Sequence, residues 1–147
     1  MIFRIGLYIF LLITSLNTYA EICPNDLNIS TDVTAKKIKN NVVIFITLKN
    51  KSKETMRILI KNPNIFLTTE GKDVPFIGYY YYNKHIPKLS DYEDLPPNNS
   101  TKRIVNITKD YLFEKGKTYR VFVPGGYYDP ITDLYYCGKD GIAYFKY

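Results

Sequence analysis

The chain has 147 residues, of which 46% are hydrophobic and 23% charged, with a formal net charge of +6, two cysteines and one histidine. One histidine and two cysteines cannot supply a hydrolytic zinc site of three or four ligands, and no catalytic triad assembles around His85, a lone residue between Lys84 and Ile86. The sixteen lysines are interspersed with acids and only four arginines occur, so the charge does not form the clustered, arginine-rich face that nucleic acid requires.

Residues 1–20, MIFRIGLYIFLLITSLNTYA, place one positive charge (Arg4) before an apolar run and end on Thr18-Tyr19-Ala20. Small residues at 18 and 20 suit signal-peptidase pockets, which predicts cleavage before Glu21. The run from Ile5 to Leu16 is short of the roughly 20 apolar residues that span a bilayer. Glu21 and Ile22 also stand where a lipoprotein would need small residues before Cys23. The expected product is residues 21–147, a single domain that is secreted or periplasmic and has no integral membrane span. Losing Arg4 leaves its net charge at +5, one less than +6. In an oxidising compartment the only two cysteines, Cys23 and Cys137, most simply form one disulfide bond; two free thiols are the alternative.

Leu27–Ala35 reads as a first strand. Asn41–Asn50 (NVVIFITLKN) alternates with period 2, setting Val42, Ile44, Ile46 and Leu48 on a core face and Val43, Phe45, Thr47 and Lys49 opposite. After the turn Asn50–Lys53, Met56, Ile58 and Ile60 alternate with Arg57, Leu59 and Lys61, predicting a strand antiparallel to the one before it. Asn62-Pro63-Asn64 breaks it. Ile65–Thr69 is a further strand, closed by Glu70-Gly71-Lys72-Asp73, where glycine permits positive φ. Val74–Tyr82 is predicted as a strand with Phe76, Gly78, Tyr80 and Tyr82 on one face and Ile77, Tyr79 and Tyr81 on the other.

The prolines at 87, 96 and 97 predict a loop over 83–99. Its acids Asp91, Glu93 and Asp94 lack the alternating spacing of a calcium loop and read as solvated. Ser100–Ile107 returns as a strand, Asp110–Phe113 as a helical turn, and Thr118–Val123 as a strand with Tyr119, Val121 and Val123 inward. A Gly-, Tyr- and Pro-rich excursion fills 124–140 before the last strand, Ile142–Tyr147. Seven to eight short strands with regular turn signals predict an all-β fold, an antiparallel β-sandwich. Asn-x-Ser/Thr triplets at Asn28, Asn50, Asn98, Asn99 and Asn106 would be glycosylation acceptors in a eukaryotic secretory route.

A chain-order set of motifs adds to this reading. Leu48-Lys49-Asn50 leads to Glu54-Thr55-Met56-Arg57-Ile58-Leu59 and Val74-Pro75-Phe76-Ile77-Gly78. Leu95-Pro96-Pro97-Asn98-Asn99-Ser100, Val105-Asn106-Ile107, Tyr111-Leu112-Phe113 and Gly116-Lys117-Thr118-Tyr119-Arg120-Val121 follow. Over residues 41–123 this order resembles the immunoglobulin-like β-sandwich that precedes the catalytic domain of deuterolysin-like and peptidyl-Lys metalloendopeptidases. Those proteases carry an H-E-x-x-H helix, which this chain does not. The resemblance therefore implies an immunoglobulin-like module of protease-associated type, not a protease. Bacterial proteinase inhibitors with a related sandwich share the outline. The Asn-Pro-Thr-Thr-Gly loop of chagasin-type inhibitors is absent, and Asn62-Pro63-Asn64 does not replace it.

No spacing singles out a carboxylate pair either, so the chain is expected to be no enzyme, with no catalytic residue, metal or cofactor. Tyrosines are the candidate contact residues: Tyr80 and Tyr82 on the predicted fourth strand, and Tyr127, Tyr128, Tyr135 and Tyr136 in the excursion. Tyrosine packs across strands while its hydroxyl stays wet, so Val74–Tyr82 is first a strand and second a binding edge. The expected partner is a protein, with a secreted protease foremost, met by loops 83–99 and 124–136. A structural or assembly subunit of the cell envelope and a glycan-binding module that stacks sugars on tyrosine are the alternatives.

Overall fold

The structure, a computed structural model, describes residues 28–59, 64–78, 89–129 and 134–147. Strands β1 (Ile29–Ile38) and β2 (Asn41–Asn50) form a hairpin across Lys39-Asn40, with Lys39 at φ 55°. β3 (Met56–Leu59), β4 (Phe66–Thr69) and β5 (Lys72–Asp73) follow, then a 3₁₀ turn at Leu89–Asp91, β6 (Tyr92–Leu95) and β7 (Ser100–Asn106). The last part of the chain gives β8 (Thr118–Val123), β9 (Tyr127–Asp129), β10 (Leu134–Tyr136), β11 (Gly138–Lys139) and β12 (Gly141–Lys146).

Two four-stranded sheets, β11-β1-β2-β7 and β12-β8-β4-β5, contain eight of these strands. Every pairing within them is antiparallel except β1 with β11. β2 and β7 are neighbours although β3 to β6 intervene, so the chain leaves the first sheet, builds half of the second, and returns. That is the Greek-key connection of an immunoglobulin-like sandwich. Tyr119, the second residue of β8, adds a tyrosine corner: its hydroxyl accepts from the backbone N–H of Glu114 at 2.7 Å.

The two sheets meet through the alternation read in the sequence. Val42, Ile44 and Ile46 of β2 face Tyr119, Val121 and Val123 of β8 and Ala143 and Phe145 of β12, all buried in one cluster with Ile65, Leu67, Ile107 and Tyr111. Each fully buried aliphatic side chain here contributes about 1.5–3 kcal/mol relative to exposure. An aromatic layer closes one end. Tyr119 stacks on Phe145 (5.3 Å between centroids, 17°) and Phe113 stacks on Tyr147 (5.0 Å, 24°). The Tyr111 hydroxyl donates to the Ile65 carbonyl at 2.7 Å. The buried hydroxyls of Tyr111 and Tyr119 are thus both satisfied.

A smaller cluster, Ile29, Met56, Ile58 and Leu95, lies around a buried polar residue. Asn50 is fully buried, and its amide nitrogen donates to the carbonyls of Glu54 (2.7 Å) and Leu95 (2.8 Å). Its side-chain oxygen accepts from the N–H and hydroxyl of Ser52 at 2.8 and 2.7 Å, and its backbone N–H donates to Asn99 at 3.0 Å.

Several expected elements differ. β3 pairs with β6, not with β2, because β2 is already flanked by β1 and β7. Residues 92–95, read as loop, form β6. Arg57 opposite Asp94 and Met56 opposite Leu95 supply an ion pair and a buried contact that local composition does not reveal. Of the predicted strand Val74–Tyr82, residues 74–78 make only a single bridge, Phe76 to Tyr111, and 79–82 lie outside the described residues. Phe76 meets Tyr111 edge-on at 5.3 Å, and Gly78 is buried where a Cβ would overlap Asp110 and Phe76. The predicted helical turn at 110–113 is a turn over 108–110 followed by that bridge. The excursion 124–140 contains β9, β10 and β11. The Glu70-Gly71 turn is as expected, with both residues at positive φ (51° and 76°).

Two stability measurements check this account. Asn50→Ala leaves the Leu95 and Glu54 carbonyls and Ser52 without their partner, and should lower unfolding free energy in urea by about 3 kcal/mol. A change below about 1 kcal/mol would remove Asn50 as an organising residue. Burial raises the pKa of the Asp110 carboxyl above the usual carboxylate range. The folded state then holds this proton longer than the unfolded chain, so the group's contribution falls as pH rises from its unfolded pKa through the raised one. Asp110→Asn should gain stability relative to the native chain across that window and keep the gain at neutral pH. A difference that is flat with pH would contradict it.

Candidate functional site

Four of the six candidate tyrosines come together on one hairpin. β9 and β10 pair antiparallel, with Tyr127 opposite Tyr136, Tyr128 opposite Tyr135 and Asp129 opposite Leu134. The register thus sets each tyrosine of one strand directly opposite a tyrosine of the other. Tyr80 and Tyr82 lie outside the described residues, as do His85, positions 83–88 of the first expected contact loop and 130–133 of the second.

The base of this hairpin is clamped by glycine. A Cβ on Gly125 would overlap the Lys139 carbonyl, and one on Gly138 would overlap the Gly125 carbonyl. The two backbones approach that closely only without side chains. The Gly125 N–H donates to the Asp140 carboxylate at 2.9 Å. The Cys137 carbonyl accepts from Asn28 at 3.0 Å and from Ile29 at 3.3 Å, and Gly138-Lys139 continue as β11 beside the start of β1. Cys137 is buried, and no cysteine is free among the described residues. Cys23 lies outside them.

Of the acids of the 83–99 segment, Asp91 is the one that is not solvated, at 2% exposed. Glu93 pairs with Arg103 at 2.8 Å and Asp94 with Arg57 at 3.3 Å, both with side chains that remain open to water (40% and 65% exposed). Among the described residues no cluster of three or more His, Cys, Asp or Glu side chains is placed to hold a metal. Two of the Asn-x-Ser/Thr triplets have a structural origin. In Asn50-Lys51-Ser52 and Asn106-Ile107-Thr108 the N–H and the hydroxyl of the third residue both donate to the asparagine oxygen. These Asx turns end β2 and β7, so the triplet spacing here is turn chemistry.

A second surface lies on the outward face of β12-β8-β4. Register places Phe66, Phe122 and Ile142 in one row and Thr68, Arg120 and Tyr144 in the next. Phe66 is 48% exposed, Ile142 47% and Tyr144 64%, and the Phe66 and Phe122 rings lie 6.1 Å apart. The Arg120 guanidinium sits 5.7 Å from the Phe122 ring centre. At the start of β8 a groove of about 660 Å³ is lined by Thr68, Glu70, Lys117, Arg120 and Tyr144 and by the turns at Gly71 and Gly116. Lys117 bonds Glu70 at 2.6 Å, and that hydrogen bond raises the lysine pKa against an opposing desolvation. The core alternation of β8 is the stronger signal in the sequence and hides this outward face. Its signal was the alternation Thr118, Arg120, Phe122, with an aromatic residue on the face opposite the core.

Gly138→Ala should separate the crossed backbones and loosen the hairpin. Amides of 127–136 are expected to exchange with solvent at least tenfold faster, while β2 and β8 amides keep their protection. Unchanged hairpin exchange would show that the clamp is not what holds it.

No protein-family model matches the chain, and no curated protein matches it. Among the described residues no helix is long and apolar enough to cross a membrane.

Proposed function

We propose that the chain is an exported, non-catalytic binding domain of protease-associated type, acting as a proteinase inhibitor through the hairpin within 124–136. The observation that carries this reading is the pairing of Tyr127 with Tyr136 and of Tyr128 with Tyr135 on a ribbon whose base is fixed by Gly125, Gly138 and Asp140. Tyrosine offers large contact area with few rotatable bonds. A hairpin held at its base loses little further freedom on entering a cleft, which favours tight binding. The resemblance of residues 41–123 to the sandwich of deuterolysin-like proteases supports the choice of a protease as partner.

A Cys23–Cys137 disulfide bond fits the same reading, since it would tie the start of the mature chain to the hairpin base. In the chain-entropy treatment such a closure stabilises by about 4–5 kcal/mol. An assembly subunit of the cell envelope is the second reading, favoured by the exposed row Phe66, Phe122 and Ile142.

Inhibition kinetics of the purified oxidised chain against secreted endopeptidases test the proposal. The native chain should inhibit at least one of them. Replacing Tyr127 and Tyr128 with alanine should weaken inhibition about 30-fold or more, since one hot-spot tyrosine contributes about 2 kcal/mol. Undiminished inhibition by the double variant would remove the hairpin from the contact. No inhibition of any endopeptidase by the native chain would remove the inhibitor reading itself.

A further inference from the structure

We infer that the outward face of β12-β8-β4 is a separate docking surface, for an extended protein segment that carries a carboxylate side chain and, two residues away in either direction, an apolar one. The inference does not rest on the hairpin, which leaves β8 at the opposite end from the groove.

Charge defines the first half of the ligand. Arg120 lines the groove and makes no ion pair or hydrogen bond among the described residues; its guanidinium lies over the Phe122 ring. The other groove cation, Lys117, is held by Glu70. Of the cations lining the groove, Arg120 is thus the one left to meet an incoming anion, between the hydroxyl-bearing residues Thr68 and Tyr144 of a row that ends at Asp73 of β5. A guanidinium stacked on a ring keeps its N–H edge available for a carboxylate.

Spacing defines the second half. Phe66, Phe122 and Ile142 form the adjacent row, two residues along each strand from Thr68, Arg120 and Tyr144. Two residues of strand span about 6.6–6.8 Å, the same step that separates side chains i and i+2 of an extended ligand. A segment that sets an acid on Arg120 and runs along β8 therefore lays its i+2 or i−2 side chain on the Phe122 row. A sugar would match the rings but not the acid-to-apolar step.

The test is selection of a phage-displayed library of random linear peptides on the purified chain. Arg120→Gln and Ile142→Lys are the controls, each first shown to keep the native thermal midpoint. The expected consensus has Asp or Glu two residues before or after an aliphatic or aromatic residue. A synthetic consensus peptide should bind at least tenfold more weakly to each variant, and equally weakly when its own acid becomes the amide. Its affinity for the Tyr127, Tyr128 double alanine variant should be unchanged, so failure of the inhibitor reading and failure of this one are distinguishable. No enriched sequence, a consensus without an acid, or equal binding to Arg120→Gln would overturn the proposal. So would sedimentation equilibrium showing a dimer that Ile142→Lys dissolves, since a second copy would then cover the face.

Discussion

One buried amide sets the register of the first half of the chain. Asn50 ends β2, yet its bonds reach Glu54 before β3, Leu95 at the end of β6 and Asn99 before β7. The next backbone N–H, of Lys51, donates to Asn28 just ahead of β1 at 2.7 Å. Asn50 and Lys51 thus tie the start of β1 and the segment 95–99 to the end of β2, around a fully buried amide beside Ile29, Met56, Ile58 and Leu95. Hydrophobic contact alone would let β3 and β6 slide, since a cluster of aliphatic side chains has no direction. An amide with both ends satisfied does have one, and a slip of one residue would strand carbonyls in the interior.

The same reasoning explains which parts of the fold were legible in the sequence. β2 and β8 were readable to the residue because a strand buried on one face must alternate, and Val42-Ile44-Ile46 and Tyr119-Val121-Val123 do so without interruption. Glu70-Gly71 was readable because its turn requires positive φ. β6 was not, because Tyr92-Glu93-Asp94-Leu95 carries no periodic signal of its own. Its strand conformation depends on Arg57, Arg103 and Met56, contributed from elsewhere in the chain. Val74–Gly78 shows the opposite failure, where alternation is present without a ladder. Phe76 is placed by the ring of Tyr111, and Gly78 by lack of room beside Asp110.

The candidate site divides along the same line. That Tyr127, Tyr128, Tyr135 and Tyr136 belong together could be read from composition, but their opposed pairing could not. It depends on the crossing of Gly125 and Gly138, two glycines that locally read only as chain breakers. The outward row Phe66, Phe122 and Ile142 was hidden for another reason. Its members come from three strands, and each is a single exposed apolar residue until the register aligns them.

The outward face of the other sheet shows why alignment, and not exposure, is what matters. There Ile104 is 70% exposed and stands beside Phe45, so an apolar pair is present. The neighbouring rows contain Lys36 and Asn106 on one side and Asp32 and Lys102 on the other, and the Lys36 ammonium lies 5.8 Å from the Phe45 ring. Hydrated charges on both flanks would have to be desolvated before a partner could reach that pair, and edge-strand lysine is a common device against such contact. On β12-β8-β4 the corresponding neighbour is Arg120, whose charge is already laid against a ring and is more weakly hydrated than an ammonium. The cost of approach is lower there, and a carboxylate offsets it directly. β8 consequently serves three ends at once: its inward residues bind the two sheets, its outward residues form the proposed docking face, and its last residue leads into the tyrosine hairpin.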